Sequence, residues 1–225
     1  MAELPQELQQ QFEEYQDMFK RRTDAYVKKA MELNKKGPSA SRIGEPISGW
    51  PPYPWINILV AGPFQTVGAP PSGPFKPSKI IAYRDPAYIF TFVWRNPAPI
   101  NWIPGTPSAC QVLNGRKFQV NFEVVNLTYV TQGPDLREIQ DTFSNAPQCI
   151  QMYWRRMGPF PEPQQGKPDL YDLHTTIDVI EHEQPVAGFA TWIFDPDYDP
   201  HWLFFPDVGP HWQYERPMQY MVYQR

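Results

Sequence analysis

Proline placement divides this chain in two. No proline occurs between Pro5 and Pro38, yet 28 of the 225 residues are proline, about 12% where ~5% is usual. Proline fixes φ and removes an amide donor, so helix interiors exclude it while turns and extended segments accept it. A long helix therefore has to lie before residue 38. The rest of the chain has to be built from short extended pieces joined by turns.

Residues 3–36 are rich in Gln, Glu, Lys, Met and Leu, all good helix formers. Leu8, Phe12, Tyr15, Phe19, Tyr26 and Leu33 fall on a 4-3-4 spacing, with Arg22 and Lys29 in the same register. That spacing predicts a coiled-coil-like seam, imperfect at the two cations. The first half is acidic (Glu3, Glu7, Glu13, Glu14, Asp17) and the second basic (Lys20, Arg21, Arg22, Lys28, Lys29, Lys35, Lys36), which complements the helix dipole. Gly37-Pro38 ends the helix. At 1.5 Å per residue it is roughly 50 Å long, longer than a small domain is wide. Residues 1–37 are thus expected to form a helical arm. Its seam would meet a protein partner or a second copy through residues 1–36; the alternative is a helix laid along the chain's own body.

Residues 38–77 form a proline-rich segment expected to wrap the surface, with only Ile56–Val60 strand-like inside it. Trp50-Pro51-Pro52-Tyr53-Pro54-Trp55 is its densest piece. From 78 to 225 strand signals recur. Lys79–Arg84 and Tyr88–Trp94 flank a turn at Asp85-Pro86-Ala87. Asn114-Gly115 reads as a hairpin turn. Phe118, Val120, Phe122 and Val124 alternate with polar residues. The apolar set then shifts to Val125, Leu127 and Tyr129, which predicts a bulge. Asp135–Phe143 reads as a helical turn in a connection. Cys149–Trp154, Leu173–Ile180, Val186–Phe194, Trp202–Phe205 and Met218–Tyr223 complete the set. The fold class expected is mainly β: an antiparallel β-sandwich, or barrel, of about 8–9 strands preceded by a long N-terminal α-helix.

Charge and motifs exclude several chemistries. Lys and Arg number 20 against 24 Asp and Glu, for a net charge of −4, so there is no basic excess to neutralise a nucleic-acid backbone and general nucleic-acid binding is disfavoured. No apolar run reaches the length of a transmembrane helix, and the polar, acidic start does not resemble a secretory signal. A cytoplasmic location is expected, which favours Cys110 and Cys149 as two buried thiols over the one disulfide they could form. There is no GxGxxG, P-loop, GxSxG or CxxC.

Three functional readings remain. The first is a non-catalytic structural and interaction protein that assembles through its helix. The second is a carbohydrate- or peptide-binding sandwich using aromatic loop residues: Trp50, Tyr53, Trp55, Trp202 and Trp212. The third is a metal-assisted hydrolase or cation-stabilised module around Asp195, Asp197, Asp199 and His201. The Asp-x-Asp-x-Asp spacing there resembles half of a calcium loop but lacks its glycine and closing glutamate. The only cofactor this admits is Ca2+ or another hard cation.

Overall fold

Every residue of one strand, Ala87–Arg95, is buried. An antiparallel strand usually alternates, with one face on the core and the other wet. Burial of all nine residues means that both faces of this strand's sheet are covered.

The computed structural model describes residues 4–36, 53, 55–66, 75–145, 149–180, 186–193 and 217–224. Helix α1 is Gln6–Lys36. The strands are β1 (Ile56–Thr66), β2 (Phe75–Pro77), β3 (Ile80–Ala82), β4 (Ala87–Arg95), β5 (Lys117–Asn126), β6 (Thr131–Gln132), β7 (Ile139–Thr142), β8 (Ile150–Met157), β9 (Asp169–Ile180), β10 (Val186–Phe189), β11 (Thr191–Ile193) and β12 (Met218–Tyr223). Helix α2 (Ala109–Leu113) precedes β5. The first sheet runs β11-β1-β4-β8, with β2 also paired to β1. The second runs β3-β12-β9-β5-β6, with β10 on β9 and β7 on β5. The pairing is antiparallel apart from the short pairs β1·β11 and β12·β3, which are parallel.

The sandwich class expected from sequence is what the structure has. Strands outside the expected set are the short pieces β2, β6 and β7, of two to four residues each, and the expected Val186–Phe194 run is split into β10 and β11. Ile58, Val60, Ile89 and Val93 of the first sheet face Phe118, Val120, Tyr171, Leu173, Ile177, Tyr220 and Val222 of the second. The other face of the first sheet presents Leu59, Ala61, Phe64, Tyr88, Phe90, Phe92 and Trp94. Helix α1 covers it. The molecule is three layers, helix on sheet on sheet.

That placement corrects the partner-seeking arm. Leu8, Tyr15 and Phe19 are buried against the chain's own sheet, with Phe12 and Tyr26 packed beside them. The Phe19 ring stacks on Phe92 at 4.1 Å, and Phe12 meets Phe90 edge-on at 5.0 Å. The buried stripe passes through Thr23 rather than Arg22. A supercoiled seam repeats every 3.5 residues, whereas a straight helix drifts toward 3.6; this one keeps the straight course across a sheet. Leu33 lies in the last turns of α1, outside the described side chains.

Other local readings also change. Residues 56–66 belong to β1, an interior strand of the first sheet. Asn114-Gly115 does not join two strands. Ser108 and Gln111 form a capping box that starts α2, and Asn114 at φ −60, ψ 135 with Gly115 at φ 77 makes a type II turn closed by Arg116 N–H to Leu113 O at 3.1 Å. The expected bulge is absent. β5 keeps unbroken register with β9 from Lys117 to Asn126, and Leu127 and Tyr129 are exposed in the turn beyond it. The Asp135–Phe143 stretch contains strand β7. Cys110 and Cys149 form a disulfide with Cα atoms 5.8 Å apart, because α2 packs at the point where β8 begins; thiols were the wrong expectation.

If the helix belongs to the core, cutting a buried ring from it destabilises the whole domain. Phe19→Ala is expected to lower unfolding stability by about 3–5 kcal/mol, measured by urea denaturation. A loss under about 1 kcal/mol would show that α1 lies loosely on the sheet.

Candidate functional site

Strand β8 ends the first sheet. Among the described residues it pairs only with β4, from Ala87↔Met157 to Trp94↔Ile150. Its far edge opens on a groove of about 880 Å3. Phe12 of α1 stands on one flank, the Arg137–Gln140 run on the other, and Met152 to Arg156 of β8 lie between them.

The β4·β8 register sorts these side chains. Directly opposed residues share a face. Met152, Trp154 and Arg156 stand opposite Phe92, Phe90 and Tyr88, on the side of the sheet that α1 covers. Tyr153 and Arg155 stand opposite Thr91 and Ile89, on the side toward the second sheet. Trp154 is half-buried, its ring 6.1 Å from that of Tyr88. The groove thus has an aromatic wall beside α1 and a polar wall beside β7.

Arg155 joins the two sheets at this edge. Its Nε donates to Arg137 O at 2.8 Å, Nη2 to Glu138 O at 3.0 Å, and Nη1 to Trp154 O at 2.8 Å. Burial lowers its pKa, and the nearby Arg137 charge lowers it further. Tyr153 is fixed in the same way: its OH donates to Asp141 Oδ2 at 2.6 Å and accepts from Gln151 Nε2 at 3.0 Å. Burial raises the Tyr153 phenol well above its usual range, and the hydrogen bond to Asp141 adds to the rise. Arg137 and Arg156 are exposed, and among the described residues neither makes an ion pair. The one carboxylate lining the groove is that of Glu138, which already accepts Gln119 Nε2 at 2.9 Å and Gln140 Nε2 at 2.7 Å. With Arg137, Arg155 and Arg156 against that one carboxylate, the described lining keeps an excess of positive charge.

The start of β8 is anchored by a buried cation. Arg95, 1% exposed, donates to the carbonyl oxygens of Cys110 and Ser144 and lies 4.7 Å from the centre of the Phe143 ring. Burial pulls its pKa down to about 10. The disulfide ties the same corner through Cys149, one residue before β8.

The residues singled out from sequence fall elsewhere. Tyr53 is structural: its OH donates to Ala98 O at 2.7 Å and accepts the Ala109 N–H at 3.0 Å, and its ring meets Trp102 edge-on at 5.3 Å. Trp55 packs half-buried against the core between the sheets. Trp50, Trp202, Trp212, Asp195, Asp197, Asp199 and His201 lie outside the described residues. No group of three His, Cys, Asp or Glu able to hold a metal exists among the described residues.

Sequence reasoning missed the groove because it ended the strand at Trp154. The signal was the Arg155-Arg156 doublet closing an aromatic strand, since two adjacent cations must point to opposite faces.

No family model and no curated protein matches this chain. Among solved structures it is similar to a family 123 glycoside hydrolase from Clostridium perfringens, at 8% identity and a TM-score of 0.31. The alignment covers 61% of this chain and 27% of that one, so the chain spans about a quarter of that protein's length. A likeness this slight carries no argument about function.

Alkali should find the aromatic core first. Burial pushes Tyr171 up to about 12, and burial likewise raises Tyr26, Tyr153 and Tyr220. A phenol whose folded pKa lies above its unfolded value contributes stability that is complete below the unfolded value and lost as pH rises through the folded one. Arg95 and Arg155, both depressed by burial, work in the opposite direction, but they are two groups against these four tyrosines. The urea midpoint is expected to stay level from about pH 7 to about 9 and to fall between about pH 10 and 12, with tyrosinate absorbance rising as the protein unfolds. Full tyrosinate absorbance by about pH 10.5 with the fold intact would contradict this burial.

Proposed function

We propose that this protein works by binding, as an interaction module, and that its docking site is the groove beside the outer edge of β8. The observation carrying this reading is a strand edge unpaired among the described residues, flanked by Phe12, Met152 and Trp154 and carrying two arginines without acidic partners there. Unpaired strand edges are usually blunted or covered, and here the Arg155 guanidinium on Trp154 O covers the middle of the edge, leaving the side chains of the groove as the recognition surface. Aromatic and arginine side chains are also the types enriched at protein interfaces. The interaction reading is thereby kept while its location moves from the seam of α1, which lies against the chain's own sheet, to the neighbouring strand edge.

The ionisable groups with displaced titration support binding rather than catalysis. Arg95, Tyr153 and Arg155 each hold carbonyl or side-chain partners that join strands. The Cys110–Cys149 bond supports residence where disulfides persist, in an oxidising compartment rather than in the cytoplasm.

Selection from a random heptapeptide display library tests the site. Enriched peptides are expected to bind the intact protein and to lose at least about tenfold in affinity on R137E/R156E. Both positions are exposed, so the variant should keep its melting temperature within a few degrees. Peptides that bind the variant and the unsubstituted protein equally would place docking elsewhere.

A further inference from the structure

We infer that the outer face of the second sheet is a second binding site, for an extended, uncharged polysaccharide lying across β10, β9, β5 and β7. It is independent of the groove beside β8, although Glu138 and Gln140 border both.

The strand registers set out this face row by row, because directly opposed residues share a face. Phe118 and Val120 of β5 and Ile177 and Val179 of β9 point into the core, so the residues alternating with them point outward. Phe189 of β10 stands opposite Thr176, and Thr176 opposite Asn121. In the adjoining row Asp178 stands opposite Gln119, and Gln119 opposite Gln140. From β10 to β7 there are three strand spacings, about 14 Å, which is longer than a single sugar.

Three features set this face apart from a merely solvated one. The first is a line of hydrogen bonds across three strands. Gln140 Nε2 donates to Gln119 Oε1 at 3.3 Å, Gln119 Nε2 to Asn121 Oδ1 at 2.6 Å, and Asn121 Nδ2 to Asp178 Oδ2 at 3.1 Å. Glu138 accepts from both glutamine amides, at 2.9 and 2.7 Å. Side chains held in this way lose little further entropy when a ligand settles on them. The second is Phe189, which is 62% exposed. Its strand neighbour Gly188 stands opposite Ile177 on the inner side, so the core does not use the Phe189 ring. An exposed ring beside fixed polar groups offers an apolar surface to the C–H side of a sugar. The third is the mixture of hydrogen-bonding types. Asp178 and Glu123 accept, Thr176 does both, and Asn121 Nδ2 has a second hydrogen to donate. Sugar hydroxyls also donate and accept. An anion would meet Glu123, Glu138 and Asp178. A cation would find Glu138 held by two amides and Asp178 by one, with Lys117 in the next row. The straight run over four strands suits a flat, β-1,4-linked chain.

Isothermal titration of the full chain with cellohexaose, mannohexaose and xylohexaose tests the site. At least one is expected to bind with a Kd of about 1 mM or tighter. F189A and D178A should each weaken that binding at least about tenfold, while F189W stays within about threefold. Both positions are exposed, so the variants should keep their melting temperatures within a few degrees. Raising salt from about 50 to about 300 mM should change the Kd by less than about twofold. R137E/R156E should leave it within about threefold, so that this site and the β8 groove stand or fall separately. Failure of all three hexasaccharides to bind at about 1 mM, or binding that ignores F189A, would overturn the inference. So would a salt-sensitive preference for hexalysine, which would make the face an acidic patch. Sugar binding lost on R137E/R156E but kept on F189A would place it in the groove and likewise overturn this site.

Discussion

The structure depends on a row of rings on one face of one strand. Tyr88, Phe90, Phe92 and Trp94 all point away from the sandwich interior. A sheet with that face open to water would expose an apolar patch well above what soluble proteins tolerate. Leu8, Tyr15 and Phe19 of α1 cover it, and burying each such side chain stabilises by about 1.5–3 kcal/mol. Once the helix is fixed there, β4 becomes an inner strand covered on both sides. The second sheet then only has to close the remaining face. The composition of β4, aromatic on one side and aliphatic on the other, is set by that position.

The docking edge is a consequence of the same layering. The helix covers β1 and β4 but reaches β8 only through Phe12 and the residues around it. The outer strand is therefore left half-covered, with Trp154 against Tyr88 on one face and no partner strand among the described residues at its outer edge. A half-covered strand needs other fixings. Arg155 and Tyr153 join it to the β7 region, while Arg95 and the disulfide hold the corner where it starts. A buried and a half-buried cation, Arg95 and Arg155, without carboxylate partners would be costly in an apolar interior. Here carbonyl oxygens, and for Arg95 also the face of Phe143, take their place. The result is a rigid groove wall, and a rigid surface can bind a partner with little further loss of its own entropy.

Much of the architecture was legible in the sequence. The proline gap before residue 38 marked the helix, and the alternation at Phe118–Val124 and Leu173–Val179 marked strands β5 and β9. Periodicity reports which residues are buried, not what buries them. Hence the α1 stripe was readable while its cover was not: a partner helix and a sheet ask for nearly the same apolar spacing, and the small step from Arg22 to Thr23 is all that separates them. Asn114-Gly115 misled because its turn type depends on what precedes it, and the Ser108–Gln111 capping box had already committed that stretch to a helix. Both cysteines were visible, but their approach depends on α2 docking beside β8, a long-range event with no local signature. The groove was illegible for the same reason. Phe12, the Arg137–Gln140 run and Met152–Arg156 are three distant stretches, and only the order of strands brings them together.

Native-state hydrogen exchange tests most directly the claim that helix and sheet form one cooperative unit. Amides of α1 around Tyr15–Thr23 should exchange only through global opening, with the same free energy and the same denaturant dependence as the central amides of β4. Exchange of those helix amides at rates near those of a solvated peptide, while β4 stays protected, would contradict the account, because the aromatic face would then persist without its cover.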